Sequence, residues 1–169
     1  MQIINRLTSA VVSFLLFITM PVWLPILIVV MLLTGVYKLL YRGWLTYKFS
    51  REYGEKGKVL VLVYSRSPNW QEYIETNWIP KLSQIAVIVD YSDRSKWGAK
   101  PPIEVRIARE WGGDKEYNPM AIVLRGKGFP RMIRFYKPFF DYKHGKVELL
   151  KTAEQKLFSL IANGLGKAG

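Results

Sequence analysis

Two acidic residues follow an apolar run in the middle of the chain. Asp90 and Asp93 come directly after the apolar residues 85–89, and Arg94 follows them. If residues 85–89 form a strand, both carboxylates lie near its carboxyl end, where open α/β sheets usually bind ligands. The pair could hold a metal ion or act as acid and base, but loop solvation and capping explain it as well. We keep Asp90 and Asp93 as candidate catalytic residues and predict no metal site.

The chain contains one histidine, His144, in the sequence FFDYKHGK. With Asp141 beside it, this imidazole could serve as a general base. No evident nucleophile stands next to it, however, and the surrounding segment is charged. An exposed turn residue is therefore the favoured interpretation, and His144 is kept as a third catalytic candidate.

The segment SRSPNW, residues 65–70, follows the apolar run 59–64. It could bind phosphate, because the helix that follows would point free N–H groups at an anion. Nucleotide-binding loops need glycine for close backbone approach, and this segment has none. The favoured interpretation is a helix start, with Ser67 or Asn69 as N-cap and Glu72 completing a capping box.

Cysteine is absent from all 169 residues. This excludes disulfides, thiolate metal sites, cysteine nucleophiles and CxxC redox chemistry. The sequence indicates no cofactor.

Five basic residues occur between positions 125 and 137 without an intervening acid. Interleaved aromatic residues could stack on nucleic acid bases, but they alternate within a predicted strand and are more typical of a core. We therefore favour anionic lipid headgroups or a protein partner over nucleic acid. The basic residues are Arg125, Lys127, Arg131, Arg134 and Lys137.

Periodicity predicts the element order β-α-β-α-β-β-α. Strands are predicted at 59–64, 85–89, 120–124 and 131–136, and the first two are continuous apolar runs typical of strands buried on both faces. Helices are predicted at 70–78, 103–111 and 147–163, although residues 103–107 also alternate as a strand would. The first two strands should be parallel, joined by a right-handed crossover, and the last two should form an antiparallel hairpin. An α/β fold with a mixed sheet between helices follows.

The N-terminal region carries no charge from Leu7 to Tyr37. Because about 20 apolar residues span a bilayer core, this run predicts a membrane segment. A cleaved signal peptide is the competing interpretation, but its apolar region should be only about 7–15 residues long. Proline at positions 21 and 25 predicts a kink or a break, giving either a kinked single span over 14–37 or a re-entrant helical hairpin. The hairpin resembles, in shape alone, the anchor of small bacterial phosphoglycosyl transferases, and we favour the single span.

Positive charge flanks the apolar run unequally. Arg6 precedes it, whereas Lys38, Arg42, Lys48 and Arg51 follow it. Because basic residues near a span stay on the cytoplasmic side, we predict a cell-membrane protein whose soluble domain faces the cytoplasm. The predicted division is an anchor at 1–47 with its apolar run at 7–41, a linker at 48–58, a domain at 59–165 and a tail at 166–169.

The element order resembles the thioredoxin-like superfamily over most of the soluble part. SRSPNW stands where that family carries its redox motif, and Pro119 in YNPMAIVL stands where it carries a cis-proline before the third strand. The resemblance implies a cis Asn118–Pro119 bond and a groove that binds an extended partner segment. A flavodoxin-like or Rossmann half-fold is the rival, against which the late hairpin argues. The implied groove residues are Tyr64, Ser65, Trp70, Asn118 and Pro119.

These observations lead to two functional hypotheses. In the first, the chain is a membrane-anchored, non-catalytic protein-binding or scaffolding module. In the second, it is a membrane-associated enzyme acting on a phosphate-bearing or lipid-linked substrate, using residues 65–69, Asp90, Asp93 and His144. An enzyme should bring at least two of these polar groups into one concave pocket.

Overall fold

The computed structural model of the chain describes residues 2–113, 118–124 and 129–165. It divides into two compact units, Met1–Tyr41 and Arg42–Gly169. Short 3-10 helices cover Gly54–Lys56 and Tyr91–Lys96. The other elements are α1 (Gln2–Tyr53), β1 (Leu60–Tyr64), α2 (Gln71–Asn77), α3 (Ile79–Leu82), β2 (Ala86–Asp90), α4 (Ile103–Gly112), β3 (Met120–Val123), β4 (Arg131–Arg134), α5 (Tyr136–Lys143) and α6 (Glu148–Leu165).

The first unit is formed by the part of α1 that ends at Tyr41. This helix continues without interruption through Pro21 and Pro25, so the re-entrant alternative is wrong. Proline removes one backbone hydrogen bond, but spanning helices tolerate that loss where neighbouring groups and small backbone adjustments compensate it. Side chains from 20 to 40 are exposed although most are apolar. Among the described residues, one helical stretch, Met20–Lys56, is long and apolar enough to cross a membrane.

The second unit is built on a four-stranded mixed sheet with the order β2-β1-β3-β4. β1 pairs in parallel with β2 and antiparallel with β3, and β3 pairs antiparallel with β4. The predicted parallel pair and antiparallel hairpin are therefore both confirmed. The hairpin joins the sheet beside β1, which makes β1 and β3 the two central strands.

Burial differs between the two apolar strands. All five residues of β1 are buried, as the sequence predicted. The same prediction is wrong for β2, an edge strand in which Val87 is half-buried and Ile88 is 37% exposed. An apolar run shows that a segment has few polar groups, but it does not show which strand lies at the edge.

The sheet separates two groups of helices. One face packs in a continuous core with α2, α3, α5 and α6, to which Leu62, Trp78, Phe135 and Phe139 contribute. On the other face α4 contacts β1, β2 and β3 and buries Ile103, Val105 and Ile107. Residues 103–112 are thus helical. This confirms the predicted helix and excludes the strand that the alternation of residues 103–107 also allowed.

The last turns of α1 belong to the second unit and not to a linker. The predicted linker at 48–58 is helical to Tyr53, and Leu45 and Phe49 are fully buried. These two residues lie four apart and so share one helix face. Arg42 Nε donates to Glu110 Oε1 at 2.8 Å and Tyr53 Oη to Glu104 Oε2 at 3.1 Å, which joins this part of α1 to α4.

α5 is a helix that the sequence did not predict. The predicted strand 131–136 ends at Arg134, and Phe139 within α5 is fully buried in the core. The aromatic residues Phe135 and Tyr136 were interpreted as the end of a strand. The structure instead begins a helix at Tyr136. The final helix, predicted at 147–163, is confirmed as α6.

Candidate functional site

The loop after β1 and the residue before β3 meet at one edge of the sheet. They are adjacent because β1 and β3 pair antiparallel, with Val63 opposite Met120. Ser65 Oγ donates to Asn118 Oδ1 at 2.8 Å. The Asn118–Pro119 peptide bond is cis, which confirms that expectation. Two of the predicted groove residues are therefore in direct contact.

The aromatic members of the predicted groove face the interior. Trp70 is 9% and Tyr64 is 7% exposed, and Pro119 is also buried. Trp70 Nε1 donates to Ser65 O at 3.0 Å, and its ring packs against Tyr136 and Phe139. The exposed aromatic lining implied by the resemblance is not present. The half-buried polar pair Ser65 and Asn118 reaches the surface. The buried Trp70 indole supports this pair through its hydrogen bond to the Ser65 carbonyl.

Tyr64 is held in its neutral form. Its hydroxyl donates to Glu75 Oε1 at 3.0 Å. The pKa of Tyr64 is raised to about 12, chiefly because the hydroxyl is buried and secondly because it makes this hydrogen bond. The phenol is therefore a hydrogen-bond donor at neutral pH and not a base.

The loop caps the start of the α2 region through Ser67, one of the two predicted N-cap residues. Ser67 Oγ accepts from Asn69 N at 3.4 Å, and Ser67 O accepts from Gln71 N at 2.9 Å. Trp70, directly before α2, makes no side-chain capping bond, and among the described residues no hydrogen bond from Glu72 completes the predicted capping box. α2 is only seven residues long, and the loop adds no glycine, so it does not form a phosphate cradle.

Asp90 and Asp93 form an ionic cluster with Arg66. Arg66 lies 2.7 Å from Asp90 and 3.0 Å from Asp93, and Lys96 lies 2.8 Å from Asp93. The hydrogen bond from Lys96 is the main cause of a lowered pKa at Asp93, with Arg66 contributing. Both acids are thus paired with cations, and the cluster ties the loop after β1 to the loop after β2. The described residues include no group of three potential metal-ligating side chains.

His144 is an exposed residue at the end of α5, in agreement with the turn interpretation. Its ring packs against Phe140, with centroids 4.7 Å apart. Its backbone N donates to Asp141 O at 3.0 Å. Within the part of the chain that the structure describes, no hydrogen bond joins the imidazole to the Asp141 carboxylate.

The predicted basic surface is only partly described. Arg125 and Lys127 lie outside the described residues. Arg131 and Arg134 are exposed on the edge strand β4, and Lys137 is exposed on α5. Arg134 Nη2 also donates to Gly112 O at 3.1 Å, so this side chain has a structural contact as well as a charge.

A small cavity of about 50 Å³ adjoins Asn118. Gly112 forms part of its wall, where an added Cβ would come within 2.9 Å of Met120 Cε. No sequence pattern indicates this recess, because it depends on α4 packing across the start of β3. Its lining residues are Tyr91, Ala108, Arg109, Gly112, Gly113, Asn118 and Met120.

Comparison of the chain with protein-family models, with curated proteins and with solved structures gives no match. The structure itself defines a mixed α/β unit with a four-stranded sheet, preceded by a long apolar helix. Its polar candidates form two separate groups, the Ser65–Asn118 pair and the Arg66 ionic cluster.

Proposed function

We propose that the chain is a membrane-anchored protein-binding or scaffolding module of thioredoxin-like topology, without redox activity. α1 is its membrane anchor, and the unit Arg42–Gly169 faces the cytoplasm. The partner is a protein segment held non-covalently where the loop after β1 meets the start of β3.

The strand order supports the thioredoxin-like assignment. In the order β2-β1-β3-β4, only the β1–β2 pair is parallel, and a helical crossover joins these two strands. That arrangement is the one the resemblance implies. The loop after β1 stands where the family carries its redox motif but contains no cysteine, so binding without thiol exchange is the activity that such a domain retains.

One observation carries the binding proposal, namely the contact between Ser65 and Asn118 beside a recess. The pair is half-buried and therefore still reaches solvent. The neighbouring recess is lined partly by apolar groups of Ala108, Gly112 and Met120. A polar rim beside a small apolar recess suits an extended peptide, because the rim can bind backbone groups while the recess takes a small side chain.

The enzymatic alternative lacks a comparable observation. Asp90 and Asp93 are engaged by Arg66 and Lys96, and neither lines the recess. The contacts of His144 are with Phe140 and Asp141. We therefore retain binding as the proposed function.

Site-specific photo-crosslinking of the full chain in native membranes tests the proposal. A photoreactive amino acid at Pro68, which is exposed in the loop, should give a discrete crosslinked product identifiable by mass spectrometry. The same probe at Lys151, which is exposed on α6, should not give that product.

Two further variants connect the product to the recess. Asn118→Ala removes the acceptor of Ser65 Oγ, and Gly112→Ala adds a methyl group against the flexible end of Met120. Both should reduce the crosslink from position 68 while the protein remains folded. Identical products from positions 68 and 151, or no response to either variant, would contradict the proposal.

A further inference from the structure

A second surface lies on the last turns of α1. A cleft of about 520 Å³ is lined there by Trp44, Tyr47, Lys48, Arg51 and Glu52. We call it the juxtamembrane cleft. Trp44 is 43% exposed and Tyr47 is 64% exposed, so aromatic and basic groups share one accessible surface within the second unit.

Two cations lie against the indole of Trp44. Lys48 Nζ is 5.3 Å from the ring centroid, and Arg106 Cζ, from α4, is 4.7 Å away. Both distances are within the range of cation–π attraction. The indole therefore helps to place a lysine and an arginine from different helices beside the same cleft.

The charge balance of this surface favours an anion. Among the described residues, the cations Lys48, Arg51 and Arg106 belong to the cleft or border it, and Glu52 is the one acidic side chain in its lining. The neighbouring acids of α4 are already engaged: Glu110 pairs with Arg42, and Glu104 accepts from the Tyr53 hydroxyl. Arginine and lysine donors in this number suit a phosphate group.

The position of the cleft along the chain limits the source of that phosphate. Trp44 follows Tyr37, the last residue of the charge-free run, by seven residues. Trp44 therefore stays close to the end of that run along the chain, because seven residues reach at most about 25 Å even when fully extended. Lipid phosphates lie in the interfacial layer just outside the hydrocarbon core, the same layer in which Trp and Tyr are concentrated.

We propose that the juxtamembrane cleft binds the phosphate group of an anionic membrane lipid. The inference rests on the proposed function, because it requires α1 to be a membrane anchor. It adds a specific ligand class and a site that is distinct from the basic residues of β4 and α5. Trp44 and Tyr47 lie at the interface, and Lys48, Arg51 and Arg106 bind the phosphate.

The test measures lipid binding to the purified full chain in nonionic detergent by native mass spectrometry. Phosphatidylglycerol and phosphatidylcholine are the two probes, and phosphatidylglycerol should bind more tightly. In the double variant Lys48→Gln/Arg51→Gln, its affinity should fall about 25-fold, since each basic residue near anionic lipid contributes about fivefold. The charge-conserving variant Lys48→Arg/Arg51→Lys should retain the wild-type affinity.

A matched control removes the same charge elsewhere. Arg131→Gln/Lys137→Gln changes two exposed basic residues of β4 and α5 and should alter the affinity less than twofold. Equal weakening in both double variants would show that net charge alone attracts lipid and would overturn the site. Unchanged binding in the cleft variant, equal binding of phosphatidylcholine, or displacement by millimolar inorganic phosphate would also overturn it.

Extraction of native membranes with alkaline carbonate separates this inference from the proposed function. Release of the wild-type chain into carbonate would contradict membrane anchoring itself. Retention in the membrane, together with unchanged phosphatidylglycerol binding by the cleft variant, would contradict the lipid site alone. Thermal unfolding of each variant verifies that a loss of binding does not reflect a loss of fold.

Discussion

At the scale of single residues, Trp70 is the side chain that supports the Ser65–Asn118 pair. We expect Trp70→Ala to lower the free energy of unfolding by about 3–5 kcal/mol, because it removes a buried aromatic side chain. Trp70→Phe keeps most of the packing but loses the hydrogen bond to Ser65 O, at a net cost of about 1 kcal/mol before any packing loss. Urea unfolding of residues 42–169 measures both values.

Phe140 is the matched control for this prediction. It is aromatic and on a neighbouring helix, but it is 54% exposed. Phe140→Ala should change the free energy of unfolding by no more than about 0.5 kcal/mol. If Trp70→Ala behaved like Phe140→Ala, the indole would not support the site.

Asp93 provides a pH-dependent prediction. Its pKa in the folded state lies below the ordinary value, chiefly because of the hydrogen bond from Lys96. As the pH falls, the unfolded chain therefore binds the proton first, at about pH 3.9. The stabilisation is present above that pH and is lost as the pH falls through the lower folded-state pKa. Asp93→Asn should be less stable than wild type at neutral pH, and the difference should shrink in acid.

Urea midpoints of wild type and Asp93→Asn across this pH range are the measurement. High salt should also reduce the difference, because these charges are exposed and screened. A difference that stays constant from neutral pH into strong acid would mean that Asp93 acts by packing and not by its charge.

Part of the candidate site could be predicted from the sequence, and the rest could not for identifiable reasons. Ser65 and Asn118 could be expected to meet, because the resemblance relates the loop after the first strand to the residue before the third. The burial of Trp70 depends on α5. That helix was not predicted, because its first aromatic residue was interpreted as part of a strand. Arg66 was missed because its partners Asp90 and Asp93 come from a loop more than 20 residues away, and only the β1–β2 register brings the loops together.

At the scale of elements, the last turns of α1 are part of the folded domain. A fragment of residues 42–169 should fold, whereas a fragment of residues 58–169 should be strongly destabilised or aggregate. The shorter fragment lacks Leu45 and Phe49, which are fully buried, and it exposes the apolar surface that they cover. Circular dichroism and size-exclusion chromatography of the two fragments make the comparison.

Point variants test, without truncating the chain, how much the last turns of α1 contribute to the stability of the second unit. Within residues 42–169, Leu45→Ala and Phe49→Ala should each cost about 2–5 kcal/mol, whereas Tyr47→Ala, at a position 64% exposed, should cost little. Equal stability of the two fragments would mean that the α1 turns are dispensable, as the predicted linker implied.

Element boundaries show which patterns are informative. β1, α4 and α6 were predicted to within two residues of their observed bounds. β1 is a continuous apolar run and α6 has a clear helical period, whereas the α4 segment also alternated as a strand would and was predicted as the helical one of two alternatives. The extension of α1 to Tyr53 was missed because Leu45 and Phe49 stand among polar and basic neighbours, and their burial arises only in the folded second unit. The prolines of α1 were expected to kink or break the helix, and the helix continues through both, which leaves the favoured single span and excludes the break.

At the scale of the whole molecule, the charge distribution predicts orientation. Lys38 follows the charge-free run at once, with Arg42, Lys48 and Arg51 close behind, whereas Arg6 stands alone before it. Basic residues near a span are retained on the cytoplasmic side. A reporter fused after Gly169 should therefore be active only if it functions in the cytoplasm, and protease added to intact cells should leave the domain uncut.

Redistribution of charge gives this prediction its control. Lys38→Gln, Lys48→Gln and Arg51→Gln together reduce the basic excess after the run, and Gln2→Lys with Ile4→Lys adds charge before it. Arg42 is left unchanged because it pairs with Glu110. If charge determines orientation, this combination should place a fraction of the reporter outside, where protease cleaves it. Cleavage of the wild-type domain from outside would reverse the predicted orientation, and the phosphates near the juxtamembrane cleft would then belong to the opposite leaflet.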